Sequence, residues 1–318
     1  MRLTQKEQQA RKMVCLPLDG LATLEAVKAR GEELSPVVGL FKVGKETFTR
    51  FGPTSVREVK ERGSDVFLDL KYHDIPNTVR GAADAAAQLG VYMFNVHASG
   101  GYEMMKAAAE GAKEGAEKYG VAVPKITAVT VLTSLDNLRF VQNALPIIRG
   151  LPISESAKHA VNGLCEFPYI DAINMELAIR SEKDPEKKTG LQRDHLERYA
   201  NPFDYLLRTT GLENIVPDSV LNFAQMANDA GLDGIVCSAA DLHAVRDKLP
   251  RDFMYVTPGI KGPKTPAGKD QKRVFTPGNA VLDGSSILVI GRAITGPNTP
   301  EERIQAGYEV LEDMARYL

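Results

Sequence analysis

The chain has 318 residues, 43% of them hydrophobic and 25% charged, with a formal net charge of −2. This length allows one large barrel-type domain or two ordinary ones, and the composition is that of a folded globular protein. The near-neutral balance argues against a bulk nucleic-acid partner or an anionic membrane surface, and three scattered cysteines without metal-type spacing (Cys15, Cys165, Cys237) read as reduced thiols.

Residues 1–12 are polar and mixed in charge, without the apolar core of a signal peptide, and no stretch approaches the roughly 20 apolar residues that span a bilayer. A cytoplasmic location is therefore expected. Short apolar runs then alternate with longer amphipathic segments. The first run, 13–18, ends in Asp19, and the second, 38–43, carries Lys42 in Phe41-Lys42-Val43-Gly44. The third run, 66–71, holds two charges. Residues two apart on a strand share a face, so Val66, Leu68 and Leu70 point one way and Phe67, Asp69 and Lys71 the other, with Asp74 just beyond. A helical pattern follows at 79–89. The fourth run, 92–97, ends in His97 and precedes a helical pattern at 102–119. The fifth, 121–132, ends in Thr133 and Ser134.

After a long gap come a helix at 220–230, runs at 234–237, 253–256 and 287–290, and a helix at 300–317. Eight such units predict a parallel sheet closed as a (β/α)₈ TIM barrel. The gap between the fifth and sixth strands is too long for one helix. Helical periodicity at 151–164, 170–180 and 193–208, with a charged linker at 181–189, predicts a mainly helical insertion, 142–208, within a single domain 1–318.

Active sites of such barrels lie at the C-terminal ends of the strands, where this chain gathers its polar residues. Lys42, Asp69, Lys71 and Asp74 can form an alternating array. Opposite charges about 4 Å apart attract by about 4 kcal/mol at an effective dielectric near about 20, which keeps lysines protonated and aspartates ionised. A positioned ammonium is a good acid for a developing carbanion. The same spacing also suits an ion-pair network capping the barrel.

Barrels often bind phosphate with the loops after strands seven and eight. Here those loops offer Pro258-Gly259-Ile260-Lys261, then Gln271, then Gly291-Arg292. The Gly-, Pro- and Lys-rich stretch 262–269 reads either as a closing loop or as solvated surface. His73 and His97 read as packing residues, and no clustered His, Cys and acid pattern suggests a metal site.

The segment Asp69-Leu70-Lys71-Tyr72-His73-Asp74-Ile75-Pro76-Asn77-Thr78 resembles the signature of the orotidine 5′-phosphate decarboxylases, bacterial type. Supporting matches in the same order include Leu18-Asp19, Phe41-Lys42-Val43-Gly44, Val96-His97-Ala98-Ser99-Gly100-Gly101, Leu132-Thr133-Ser134, Thr257-Pro258-Gly259-Ile260 and Ile290-Gly291-Arg292.

The resemblance implies cofactor-free and metal-free decarboxylation of orotidine 5′-phosphate to UMP, by a homodimer of barrels. It casts Lys71 as proton donor to C6, Asp69 beside the substrate carboxylate, and Lys42 and Asp74 as the rest of the array. Asp74 and Thr78 would complete the partner's site. Asp19 and Lys42 would hold the ribose, Thr133 and Ser134 would lie near the pyrimidine edge, and Lys261, Gln271, Gly291 and Arg292 would lie at the phosphate.

The chain departs from the pattern in three places. Lys261 stands where many bacterial members carry arginine, the closing loop is slightly longer, and the insertion, expected to act as an interface or lid, is absent from compact members. Two rivals are a magnesium-dependent sister enzyme of the same barrel group and a non-catalytic phosphate-binding barrel. Lys42, where the sister enzymes carry glutamate, argues against the first. The intact set of four charges argues against the second.

Overall fold

Parallel strands that each run on into a helix can bury both faces only if the sheet is covered or closed. Here it closes. The computed structural model describes residues 2–132, 182, 184–199, 215–263 and 275–318. Its strands are β1 (Val14–Pro17), β2 (Leu40–Gly44), β3 (Asp65–Tyr72), β4 (Met93–His97), β5 (Lys125–Val129), β6 (Gly234–Val236), β7 (Met254–Pro258) and β8 (Ile287–Val289). Each pairs in parallel with the next, and β8 pairs with β1, so the barrel predicted from the eight runs is present. The expected fifth run is trimmed to five residues. Helix α6 (Tyr102–Tyr119) ends on a left-handed Gly120, and Pro124, which lacks an N–H, stands just before β5.

The chain divides into two compact units, 1–133 with 219–318, and 134–218. The first is the barrel. Its interior packs Cys15, Leu40, Phe67, Met93, Val256, Ile287 and Val289, all buried. Cys15 is therefore a packing residue, and burial pushes its thiol up. Helix α1 (Gln5–Met13), not anticipated from the polar N-terminus, starts on a reciprocal cap between Thr4 and Glu7. Helices α2 (Leu24–Leu34), α3 (Lys45–Phe51) and α4 (Pro53–Lys60) flank the first strands.

Helix α5 (Pro76–Gln88) starts three residues before the predicted helix because Pro76 suits its first turn. It lies close against α6, where Gly111 faces the Arg80 carbonyl and Gly115 faces the Asp84 backbone. A side chain at either glycine would collide with α5 backbone. Arg80 of α5 also pairs with Glu110 and Glu114 of α6.

In the second unit, α7 (Pro185–Tyr199) corrects the sequence reading, which took 181–189 as a linker and began a helix at 193. The Asp184 carboxylate accepts the Glu186 N–H (2.9 Å) and the Lys187 N–H (3.3 Å), so Asp-Pro-Glu is a helix start rather than a linker. The segments 151–164 and 170–180 lie outside the described residues. Helix α8 (Ile215–Asp229) leads into β6. Helices α9 (Leu242–Val245), α10 (Pro277–Leu282), α11 (Arg292–Thr295) and α12 (Pro300–Ala315) complete the described elements of the barrel's outer layer.

Candidate active site

At the C-terminal end of the strands a cavity of about 220 Å³ is lined by Lys42, Phe67, Asp69, Lys71, Asn95, Val129, Val131, Leu132, Val236, Pro258 and Val289. Phe67, Asp69 and Lys71 all face this space, as the period-two reading of β3 expected, although Lys71 reaches it from an irregular stretch of the strand.

Asp19, Lys42, Asp69 and Lys71 form one chain of alternating charge. Lys42 Nζ lies 2.8 Å from Asp19 Oδ2 and 3.1 Å from Asp69 Oδ2, and Lys71 Nζ donates to Asp69 Oδ1. Lys42 and Asp69 are each only 8% exposed, so solvent screens this pairing little. Burial alone would raise the Asp69 carboxyl. The charges of Lys42 and then Lys71, with hydrogen bonds from Lys71 and Asn95, outweigh it and hold the group below the ordinary aspartate value. Burial also opposes the Lys42 ammonium, but Asp69 and Asp19 leave it raised. Both groups are thus charged at neutral pH.

The backbone keeps this space clear. A β-carbon at Gly44 would press on Asp19 Oδ1 and stand 2.8 Å from Lys42 Nζ. The Asp19 loop is held by Thr47 Oγ1, which donates to the Leu18 carbonyl (2.9 Å), and by the Gly20 N–H, which donates to Glu46 Oε2 (3.2 Å).

Strand β3 is irregular where it carries Lys71. Phe67 and Leu68 pair with Met93 and Phe94, but Tyr72 pairs with Val96, so β3 spends two more residues than β4 over that interval. Lys71 has φ 53°, the left-handed region and the one such non-glycine residue described. A bulge of this kind re-aims a side chain. Its support is Asn95, which the sequence reading missed. The Lys71 N–H donates to Asn95 Oδ1 (2.8 Å), and Asn95 Nδ2 donates to Asp69 Oδ1 (2.7 Å). The available signal was a lone amide inside the buried run Met93-Phe94-Asn95-Val96-His97, where a polar side chain must find partners.

The other expected residues divide into three groups. Pro258 and Val289 line the same cavity, which brings the ends of β7 and β8 to it. Gly259 follows at φ 79°, and the Lys261 N–H donates to the Phe275 carbonyl (3.2 Å). Gly291 and Arg292 follow β8, with Arg292 exposed and in no ion pair among the described residues. Asp74 and Thr78 do not join their own chain's array. Residues 73–78 are all exposed, Ile75 at 65%, and the Asp74 carboxylate accepts the Ile75 N–H (2.7 Å). Thr133, Ser134 and Gln271 lie outside the described residues. The His73 and His97 rings lie 5.2 Å apart between centroids, tilted by 45°. Burial first, then His73, Lys45 and Lys71, keep His97 below the ordinary imidazole range.

A family model described as the orotidine 5′-phosphate decarboxylase / HUMPS family matches residues 12–162 and 204–306. The chain belongs to that family. An orotidine 5′-phosphate decarboxylase of Syntrophus aciditrophicus is 37% identical over 318 residues, covering 100% of this chain and 99% of the relative. One of Moorella thermoacetica is 38% identical over 291 residues, covering 91% of this chain and 86% of the relative. Among solved structures, the orotidine 5′-phosphate decarboxylase of Lactobacillus acidophilus aligns with a TM-score of 0.62 at 27% identity, over 95% of this chain and 98% of that one.

The array also has a thermodynamic consequence. Because Asp69 has a lowered value in the folded state, its contribution to stability is complete above the unfolded value, about 4. It is lost as pH falls through the folded value. The difference in unfolding midpoint between wild type and Asp69→Asn should be flat above about pH 4 and should shrink on the acid side. Thermal unfolding monitored across pH checks this. A difference that grows on acidification would mean that the array does not favour the ionised carboxylate.

Proposed function

We propose that this chain decarboxylates orotidine 5′-phosphate to UMP, the last step of de novo pyrimidine synthesis, without a cofactor or metal. The observation that carries the reading is the Asp19–Lys42–Asp69–Lys71 ion chain facing the strand-end cavity of a member of this family.

Loss of carbon dioxide leaves an electron pair on C6 of the pyrimidine. Lys71, held on the cavity wall by Asp69, protonates that carbon. Its ammonium also stabilises the charge as it develops, which is where a fixed dipole or ion acts on the rate. Asp69 lies beside the leaving carboxylate, and Lys42 neutralises it and, with Asp19, holds the ribose. Thr133 and Ser134 meet the pyrimidine edge, and Lys261, Gln271, Gly291 and Arg292 take the phosphate. Binding energy from a phosphate remote from C6 can be used to order the site.

The protein acts as a homodimer in which Asp74 and Thr78 complete the partner's site. Their exposure, with that of Ile75, supports this. The chain is one barrel domain, 1–318, interrupted by the insertion 142–208. The interval between the two family matches, 163–203, falls inside that segment. No helix among the described residues is long and apolar enough to cross a membrane, which accords with a cytoplasmic enzyme.

Purified protein incubated with orotidine 5′-phosphate and excess chelator should release carbon dioxide and form UMP at its full rate. No turnover by folded protein would refute the reading. Activity lost with chelator and restored by magnesium would transfer the chain to the metal-dependent branch of the barrel group.

A further inference from the structure

We infer that Asn95 is the positioning residue of this site. It holds the Lys71 backbone and the Asp69 carboxylate with the two ends of one amide. The inference rests on the decarboxylase reading for its chemistry and on the geometry of β3 and β4 for its substance.

Asn95 is 1% exposed, in the middle of β4. A buried amide left without partners would be costly, so its contacts define its place. The orientation of the amide follows from its neighbours. The Lys71 N–H can only donate and an ionised carboxylate can only accept, so Oδ1 must face Lys71 and Nδ2 must face Asp69. No other side chain of this length offers an acceptor at one corner and a donor at the next. Aspartate offers two acceptors, leucine offers neither, and a hydroxyl is too short to span both partners.

Two observations show what the amide does. First, the β3–β4 register breaks between Leu68 and Tyr72, and Lys71 falls inside the break, in register with no residue of β4. Asn95 Oδ1 accepts the Lys71 N–H and so satisfies this backbone group beside the strand-end cavity. Second, Lys71 sits in the left-handed region, which side-chain-bearing residues occupy only when their surroundings hold them there. The amide is such a restraint, acting at the strained residue itself. Its other end fixes the Asp69 oxygen that also receives the Lys71 ammonium, so one residue sets both the root and the tip of the proposed proton donor. Asn95 touches the positions of Lys71 and Asp69 and acts through them.

The test compares wild type with Asn95→Ala and Asn95→Asp. In Asn95→Ala, kcat should fall about 100-fold, the scale of a misplacement near 1 Å, while UMP affinity changes much less. In Asn95→Asp the acceptor for Lys71 remains, but two carboxylates face each other and must share a proton. Its kcat should therefore recover toward low pH relative to wild type.

A readout free of the reaction runs beside these. Carbon-13 NMR titration of the Asp69 carboxyl should move upward in Asn95→Ala, and the Lys71 amide resonance should shift. If wild type turns over and both variants keep its kcat within about threefold with a parallel pH profile, the positioning role is overturned and the decarboxylase reading stands. If wild type does not turn over, that reading fails, and an unmoved Asp69 titration and Lys71 amide in Asn95→Ala would overturn the positioning role separately. Should Asn95→Ala not fold, Asn95→Asp carries the same decision by its pH profile.

Discussion

Replacing Lys71 with alanine should lower kcat by at least about 10⁴-fold and leave UMP binding within a few-fold of wild type. The size follows from what is removed. A positioned general acid supplies about 10² to 10⁴-fold, and a fixed charge at the developing anion a further factor of about 10² to 10³. Together these amount to about 5.5 kcal/mol or more of barrier. Binding should survive because the proposed phosphate contacts follow β7 and β8, on loops separate from β3. Single-turnover kinetics and UMP titration of the same sample check both halves. A variant with near-wild-type kcat would remove Lys71 from the chemistry. A variant that neither turns over nor binds UMP would show that Lys71 organises the site rather than reacting in it.

The second large effect concerns Asp74. Asp74→Ala and Lys71→Ala should each be inactive alone, yet recover activity when mixed under conditions that exchange subunits. In a two-fold dimer with shared sites, a hybrid carries both substitutions in one site and neither in the other. Random exchange makes about half of the dimers hybrid, so about a quarter of the wild-type activity should return. The geometry that motivates this is the separation of Asp74 from its own chain's ion chain, on an exposed strip that ends in the first turn of α5. If Asp74 instead serves its own barrel, every site in the mixture lacks one group and no activity returns. The expected result therefore tests the dimer and the ownership of Asp74 together.

Much of this arrangement was legible in the sequence because it follows local rules. Alternation along β3 put Phe67 and Asp69 on one face, and the C-terminal-end rule for barrels brought Asp19 and Lys42 to the same place. What was not legible depends on pairing between distant segments. Nothing near Lys71 in sequence announces a left-handed backbone, since the cause is a register break against β4 and an amide 24 positions away. Asn95 was passed over for a related reason: within its own strand it is one polar residue among apolar ones. The start of α7 was a different kind of miss. Its signal was local, in Asp184-Pro185-Glu186, but the surrounding charges resembled a linker.

The bent end of β3 also bears on how far this barrel can be stabilised. A left-handed lysine costs on the order of 1 kcal/mol that glycine at the same place would not incur. The residue that would relax β3 most is therefore not one that can supply the proposed ammonium. Efforts to raise the melting temperature by relieving backbone strain would find position 71 first and would remove the proposed proton donor there, because the tension in the strand and the aim of the ammonium meet in one residue. Useful gains in robustness have to come from elsewhere in the fold, in places such as the outer helices whose shape Lys71 does not share.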